Sequence, residues 1–323
     1  MRLWGVAMVR NESDIVEAFV RHALGVLDGL IVLDHASSDE TPRILASLCE
    51  ERLPLVVERS DHVGYLQAEI TTALVRKAFA LGGADAVFPL DADEFPRVPS
   101  RARLEDALRA LPADHIGLVE WPIFLPPLIS GFDVVAQLRA ARRLRAPLVP
   151  PASMHRKAVL GPAFAAAPTA TLTMGNHSAV LGDDSRTAMP MPATVLDASV
   201  VEICHVPVRS APQFVVKTAV KRLARVAAGR DYVGGTSKHV AYEAIRRGVP
   251  LTPALMLAAH ALVDDAMITA TLADPPDDAE RFLGEVVLRY TRPASTDPLP
   301  HVIAAVDAIV RSAVAARARA AAA

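Results

Sequence analysis

Cysteine is nearly absent: Cys49 and Cys204 are the only two in 323 residues. They are too few and too far apart for a disulfide framework or a metal knuckle, which makes a reducing cytoplasm the expected compartment. An excess of one charge is lacking too. The 34 Lys and Arg nearly balance the 36 Asp and Glu, for a net −2 with His neutral, so no basic stripe for nucleic acid is indicated. Long unbroken apolar runs are missing. Residues 161–182 carry no charge but hold Pro162, Pro168, Asn176 and His177, and residues 249–263 are broken by Pro250, Pro253 and His260. No membrane span is expected. The apolar start is short, runs into charge and offers no small-residue cleavage site, so it reads as a first strand. There is no internal repeat, no P-loop, and no G-x-G-x-x-G after the first strand. A phosphate is therefore not cradled in either of those two ways.

What is present is an alternation of strand and helix. LWGVAMV (3–9), LIVLD (30–34), PLVVE (54–58) and AVFPL (86–90) are short apolar runs of the kind covered on both faces of a parallel sheet. Between the first two, Ile15, Val16, Phe19, Val20 and Leu24 recur at helical spacing, with Asn11 or Ser13 as the expected cap. Thr41-Pro42 opens a second helix in cap-then-proline order. A third helix spans about 66–81 and stops at Gly82-Gly83. This βαβαβαβ pattern predicts an α/β fold, a mostly parallel sheet with helices on both faces. Ligands on such sheets bind at the carboxyl ends of the strands, where strand order reverses. Beyond Ser100, which caps a fourth helix, IGLVEW (116–121) reads as a strand. Residues 122–170 read as loops over the site, 170–182 and 197–208 as strand-rich returns, and the chain from Ala211 as helical. The expected division is an α/β domain at 1–225 and a mostly helical region at 226–323.

The four strands end in polar, mostly acidic residues: Asn11-Glu12, Asp34-His35, Asp61-His62, and Asp91, Asp93 and Glu94. Two carboxylates about 4 Å apart repel by roughly 4 kcal/mol at an effective dielectric near 20. Asp91 and Asp93, spaced i, i+2, fall on one side of an extended chain. Two hard oxygen ligands at a strand end suit Mg²⁺ or Mn²⁺, which would relieve that repulsion and neutralise a leaving pyrophosphate. The other reading is an acid–base pair sharing a proton.

The segments MVRNESDIVEAFVRHAL, IVLDHASSDET and VFPLDADEF, in order over residues 1–97, together resemble family 2 glycosyltransferases of the GT-A fold, in the soluble bacterial branch with a D-A-D-E-F motif. A fainter likeness continues at GNH (175–177) and HVPVRSAPQFVVK (205–217). The resemblance implies a soluble, metal-dependent transferase. It moves a sugar from a nucleoside diphosphate donor of UDP or GDP type to an unknown carbohydrate, lipid-linked or small-molecule acceptor, with inversion. It places Asn11 and Glu12 at the base and ribose, Asp34 at the base, Asp91 at ribose or metal-bound water, and Asp93 on the metal. Tyr65 and Gln67 close over the nucleotide. His205 is a third metal ligand, and Arg209 and Lys217 meet the pyrophosphate; a metal or acceptor role for His177 ranks below a structural one. His35 and His62 are taken as structural or solvated, and Glu94 as a supporting carboxylate.

One departure stands out. Inverting members carry a Glu-Asp pair well after the D-x-D, and none is found here. The carboxylates available as base are Asp183, which is preferred, and Glu120. This gap keeps two alternatives open: a GT-A-like nucleotide-binding protein without transferase activity, and a nucleotidyltransferase. The latter is disfavoured because VRNES (9–13) has one arginine and no glycine.

Overall fold

The computed structural model describes residues 1–127, 133–144, 156–182, 188–229, 237–252, 254–257, 265–273, 275, 277, 281–293 and 297–322. Its centre is a four-stranded sheet of β1 (Leu3–Val9), β2 (Gly29–His35), β3 (Leu55–Ser60) and β4 (Ala86–Leu90), in the order β3-β2-β1-β4 and parallel throughout. The intervening helices are α1 (Val16–Leu24), α2 (Thr41–Glu50) and α3 (Gln67–Gly82). The fold is α/β, a mostly parallel sheet flanked by helices with a helical C-terminal part, as the alternation predicts.

The two-residue strand period sorts the core. Leu3, Ala7, Val9, Leu30, Val32, Phe88 and Leu90 pack with Val16, Phe19, Ile44 and Leu45 of α1 and α2. Val6, Ile31 and Val87, out of phase with that set, pack with Leu74, Val75 and Ala78 of α3. Trp4 fits on the α3 face because Gly29 and Gly82 present no Cβ. A methyl built on either glycine meets the indole at 2.6 Å. Gly83, at φ 56°, ends α3 by donating its N–H to the Ala78 carbonyl.

Two helix starts differ from expectation. Neither Asn11 nor Ser13 caps α1, whose flanking residue is Ile15 without a side-chain cap. Asn11 instead sits at φ 55° and accepts from the Ser38 N–H, tying the end of β1 to the loop after β2. Thr41 is already helical, and its hydroxyl accepts from the Glu12 N–H rather than from its own helix. Ser100 does cap α4 (Arg101–Arg109).

The second layer is a mixed sheet of β5 (Glu94–Arg97), β6 (Ile116–Glu120), β9 (Arg156–Val159), β13 (Ala193–Val195) and β14 (Glu202–His205). β14 runs antiparallel to β5, with His205 opposite Glu94. Residues 122–170 are not purely loops. Their described part holds β7 (Phe124–Leu125), α5 (Val134–Arg139), β8 (Arg142–Arg143), β9 and α6 (Pro162–Ala165). They lack a clear period because β9 is covered on both faces and the other elements are only two to six residues long. β10 (Ala170–Leu172), β11 (Ala179–Leu181) and β12 (Met189–Pro190) form a small antiparallel sheet.

The chain then enters α7 (Ala211–Ala227), whose Ser210 hydroxyl accepts from the Gln213 N–H. α8 (Ser237–Arg246) and helices at Asp265–Ala273 and Leu299–Ala322 follow. Ala305 of the last helix packs on Val216 and Val220 of α7. Leu299, Ile303, Val306, Val310 and Val314 are exposed along that helix. Among the described residues, Leu299–Ala316 is the one stretch long and apolar enough to cross a membrane, where the sequence reading expects none. Length and composition alone are weak grounds for a span, since other apolar helices pass the same test.

Candidate functional site

Strand order reverses between β1 and β4, and a cleft opens at their carboxyl ends. It is lined by Met8, Arg10, Asn11 and Glu12 after β1, His35 after β2, Tyr65 and Gln67 at the start of α3, Asp91 and Ala92 after β4, and Val216, Lys217, Val220, Lys221 and Ala224 of α7. Six residues expected at a nucleotide site, Asn11, Glu12, Tyr65, Gln67, Asp91 and Lys217, therefore share one cleft.

A chain of hydrogen bonds organises its floor. Tyr65 Oη donates to Gln67 Oε1 at 2.7 Å, and Gln67 Nε2 donates to Asp91 Oδ1 at 2.8 Å. The Gly175 N–H also donates to Gln67 Oε1. Gly175, at φ 81°, brings the GNH segment to this point.

The acidic cluster is held by side-chain cations. Lys157, on β9 and 1% exposed, donates from Nζ to Glu94 Oε1 at 2.6 Å and to the Gly175 carbonyl at 2.7 Å, and lies 3.8 Å from Asp91. Lys217 Nζ lies 2.6 Å from Asp93 Oδ2 and 3.2 Å from Glu12 Oε1. Arg209, 2% exposed, forks onto Asp14 at 2.7 and 2.9 Å and reaches Glu12 at 2.5 Å. Its Nε and Nη2 are directed at these carboxylates, so it positions Glu12, and it is not among the cleft residues.

The electrostatics follow. Burial pushes the Asp93 carboxyl up, but the Lys217 ammonium and His205 outweigh it and hold Asp93 well below the usual carboxylate range. Asp91 is likewise held down by Lys157 against burial. Burial wins at Glu12, which is raised despite Lys217 and Arg209. It also wins at Glu94, which is pushed up to about 7 although Lys157 opposes. Burial lowers His205 in spite of Asp93. Two neighbouring carboxylates rest below their ordinary range and two above it, a pattern shared by buried ion-pair networks and functional clefts.

The three expected metal ligands do not gather as a metal shell. Asp93 Oδ2 and His205 Nε2 are 3.5 Å apart, but the Lys217 ammonium already sits against that same oxygen. Asp91 is directed to Gln67 and Lys157. Among the described residues, no group of three or more His, Cys, Asp and Glu is arranged to hold a metal ion. The donor set as it stands does not fit a divalent cation. His205 also stacks on Trp121, with ring centroids 4.3 Å apart.

The remaining expected residues lie elsewhere. Asp34 ends β2, 2% exposed, with Oδ1 accepting from the Ser37 N–H and Oδ2 buried without a hydrogen bond. Burial raises its pKa. Glu120 pairs with Arg156 across β6 and β9 and is not a cleft residue. Asp183 lies outside the described residues. The His177 ring contacts the Arg156 carbonyl at 2.8 Å and meets the Trp121 ring in a T-shaped arrangement.

Sequence reasoning passed over Arg10, Lys157, Lys221 and Arg225. Lys221 and Arg225 lie over the Tyr65 ring, at 4.7 and 5.6 Å from its centroid. The spacing of Lys217, Lys221 and Arg225, i, i+4 and i+8 in KTAVKRLAR, marks one helical face and could have found the last two. Lys157 stands in no motif. Arg10 adjoins Asn11 in the first motif, and nothing but its place after a parallel strand distinguishes it.

No family model and no curated protein matches the chain. Among solved structures, it is similar to residues 1–349 of TarS from S. aureus, at 11% identity over 80% of this chain and 81% of that one, with a TM-score of 0.34. It is similar to the mannosyltransferase PcManGT from Pyrobaculum calidifontis, solved with GDP-Man and Mn²⁺, at 17% identity over 96% and 87%, with a TM-score of 0.37. A putative glucose-1-phosphate thymidylyltransferase from Bacillus anthracis, in complex with a sucrose, is 9% identical over 73% and 99%, with a TM-score of 0.34. At these scores the likenesses carry no argument about the chemistry of this cleft.

Proposed function

We propose that the chain is a GT-A glycosyltransferase that binds a nucleoside diphosphate sugar of UDP or GDP type in the cleft and passes the sugar to an acceptor hydroxyl, with inversion. The observation that carries this reading is the cleft itself. It opens where the parallel strand order reverses, and its lining offers both hydrogen-bonding groups and cations. Asn11, Glu12 and Tyr65 suit a base and ribose. Lys217 and Lys221 suit a diphosphate.

In the transfer, the acceptor oxygen forms a bond to the anomeric carbon as the bond from that carbon to the diphosphate oxygen breaks. The diphosphate leaves with the electron pair, and the cations of α7 stabilise the charge that develops on it. The hydroxyl proton passes to a carboxylate base. The sequence argument assigns that role to Asp183, and Glu120, engaged by Arg156, is the weaker candidate.

The test is to incubate the full chain with UDP- and GDP-sugars and identify the phosphate product. Release of free nucleoside diphosphate is expected. Release of pyrophosphate from a nucleoside triphosphate and a sugar phosphate would instead make the chain a nucleotidyltransferase. Tight binding with no turnover toward any acceptor or water would leave it a nucleotide-binding protein.

A further inference from the structure

Beside the cleft, Asp93 is paired with a side-chain ammonium where a metal-using site keeps such a carboxylate for the ion. Lys217 Nζ sits 2.6 Å from Asp93 Oδ2 and 3.2 Å from Glu12, so a divalent ion bound between that oxygen and His205 Nε2 would meet the ammonium. A further cation faces the same cleft. Lys221 is one turn along α7, and Arg225, one turn further, lies with it over the Tyr65 ring.

Arg10 is the second, independent observation. It lines the cleft, and its Nε and Nη1 are buried without a hydrogen-bond partner. Buried donors are costly to leave unmade, more so on a charged group. A guanidinium held in that condition beside an open cleft has the chemistry to receive an anion, and a diphosphate supplies acceptor oxygens on every side.

We propose that Lys217, Lys221 and Arg10 supply the positive charge for the diphosphate, so that this cleft binds its nucleotide without a divalent cation. The proposal rests on the nucleotide-sugar reading above and adds to it the source of the compensating charge. Lys157 and Arg209 belong to the same scheme from behind. By neutralising Glu94, Asp91, Asp14 and Glu12 they prevent the acidic residues from repelling the ligand.

The test is calorimetric titration of the full chain with UDP and with GDP, in EDTA and again in excess Mn²⁺. Equal dissociation constants in the two buffers, within about threefold, are expected for whichever nucleotide binds. Lys221→Ala, in a variant whose melting temperature matches wild type, should weaken binding at least tenfold in EDTA, and Lys221→Arg should recover most of it. Lys217→Met frees the Asp93 oxygen, and Mn²⁺ should then tighten binding where it did not before. Wild-type binding that is tenfold or more tighter in Mn²⁺ than in EDTA would overturn the inference and leave the nucleotide reading intact. Failure of both nucleotides in both buffers would overturn the reading and the inference with it.

Discussion

At Lys157 an ammonium is shut away from water against Glu94 and the Gly175 carbonyl, with Asp91 close by. Taking one member from a buried pair leaves the other charge uncompensated, at a cost of about 3–5 kcal/mol. Lys157→Met should lower unfolding free energy by that amount in urea titration, and Lys157→Met with Glu94→Gln should recover most of the loss. A single variant within 1 kcal/mol of wild type would show that the pair is not a linchpin of the fold. His35 lines the cleft and is 1% exposed. Its pKa is lowered to about 4, first by burial and then by the charges of Arg10 and His62. The unfolded ring titrates near 6.5. Between pH 4 and 6.5 the unfolded chain therefore binds more protons than the native one, and stability rises with pH across that window. The contribution is complete above 6.5 and is lost as pH falls. From pH 7 to pH 5 it amounts to about 2 kcal/mol. His35→Gln should lose less stability than wild type over that interval, by about this amount, in denaturant melts at the two pH values. Parallel losses in the two proteins would assign the acid sensitivity to other groups.

The elements differ in how openly the sequence announces them. β1 and β4 occupy the expected runs, Leu3–Val9 and Ala86–Leu90, because a strand covered on both faces needs an unbroken apolar stretch and its ends are marked by charge. α3 was legible from its glycine stop. The same signals gave the carboxyl-end position of Asn11, Glu12 and Asp91. Lys157 was not legible, since β9 is four residues long and its lysine points inward for reasons that lie in β5 and the GNH turn. The cleft-side face of α7 was legible in part: its helical period and the spacing of Lys217, Lys221 and Arg225 are plain, but its partner is fixed only by tertiary packing. The turn Met174–Asn176 shows how a short element serves the site. Gly175 there has φ 81°, donates to Gln67 and accepts from Lys157, and a Cβ at this position would lie 2.7 Å from the His177 ring. Gly175→Ala should cost about 1–3 kcal/mol through backbone strain alone. It should also weaken nucleotide binding, because Gln67 orients Asp91. Unchanged stability and unchanged affinity would together show that the turn tolerates a side chain and does not set the cleft.

Viewed whole, the chain folds its late residues back onto its earliest ones. Phe282, 6% exposed, meets Phe95 of β5 and Phe124 of β7 at centroid distances of 5.3 and 5.0 Å. Glu17 of α1, fully buried, accepts from the backbone N–H groups of Arg289, Tyr290 and Thr291 at 2.7–2.8 Å and from the Thr291 hydroxyl. Burial pushes that carboxyl up, but the donors win and hold it below its ordinary value. A division near residue 225 is reasonable for the sequence, where strand signals give way to helix. Phe282 and Leu283 nonetheless join the core that supports the sheet. A chain ending at residue 227 loses a buried phenylalanine and leaves the Glu17 carboxylate without those donors. Loss of a buried phenylalanine side chain alone costs about 3–5 kcal/mol. The truncated chain should therefore be at least that much less stable than the full chain in urea, and Phe282→Ala in the full chain should reproduce most of the deficit. Equal midpoints for the truncated and full chains would instead establish residues 1–227 as a unit that folds by itself. The cleft, whose far wall is α7 and ends at Ala227, would then need nothing beyond it.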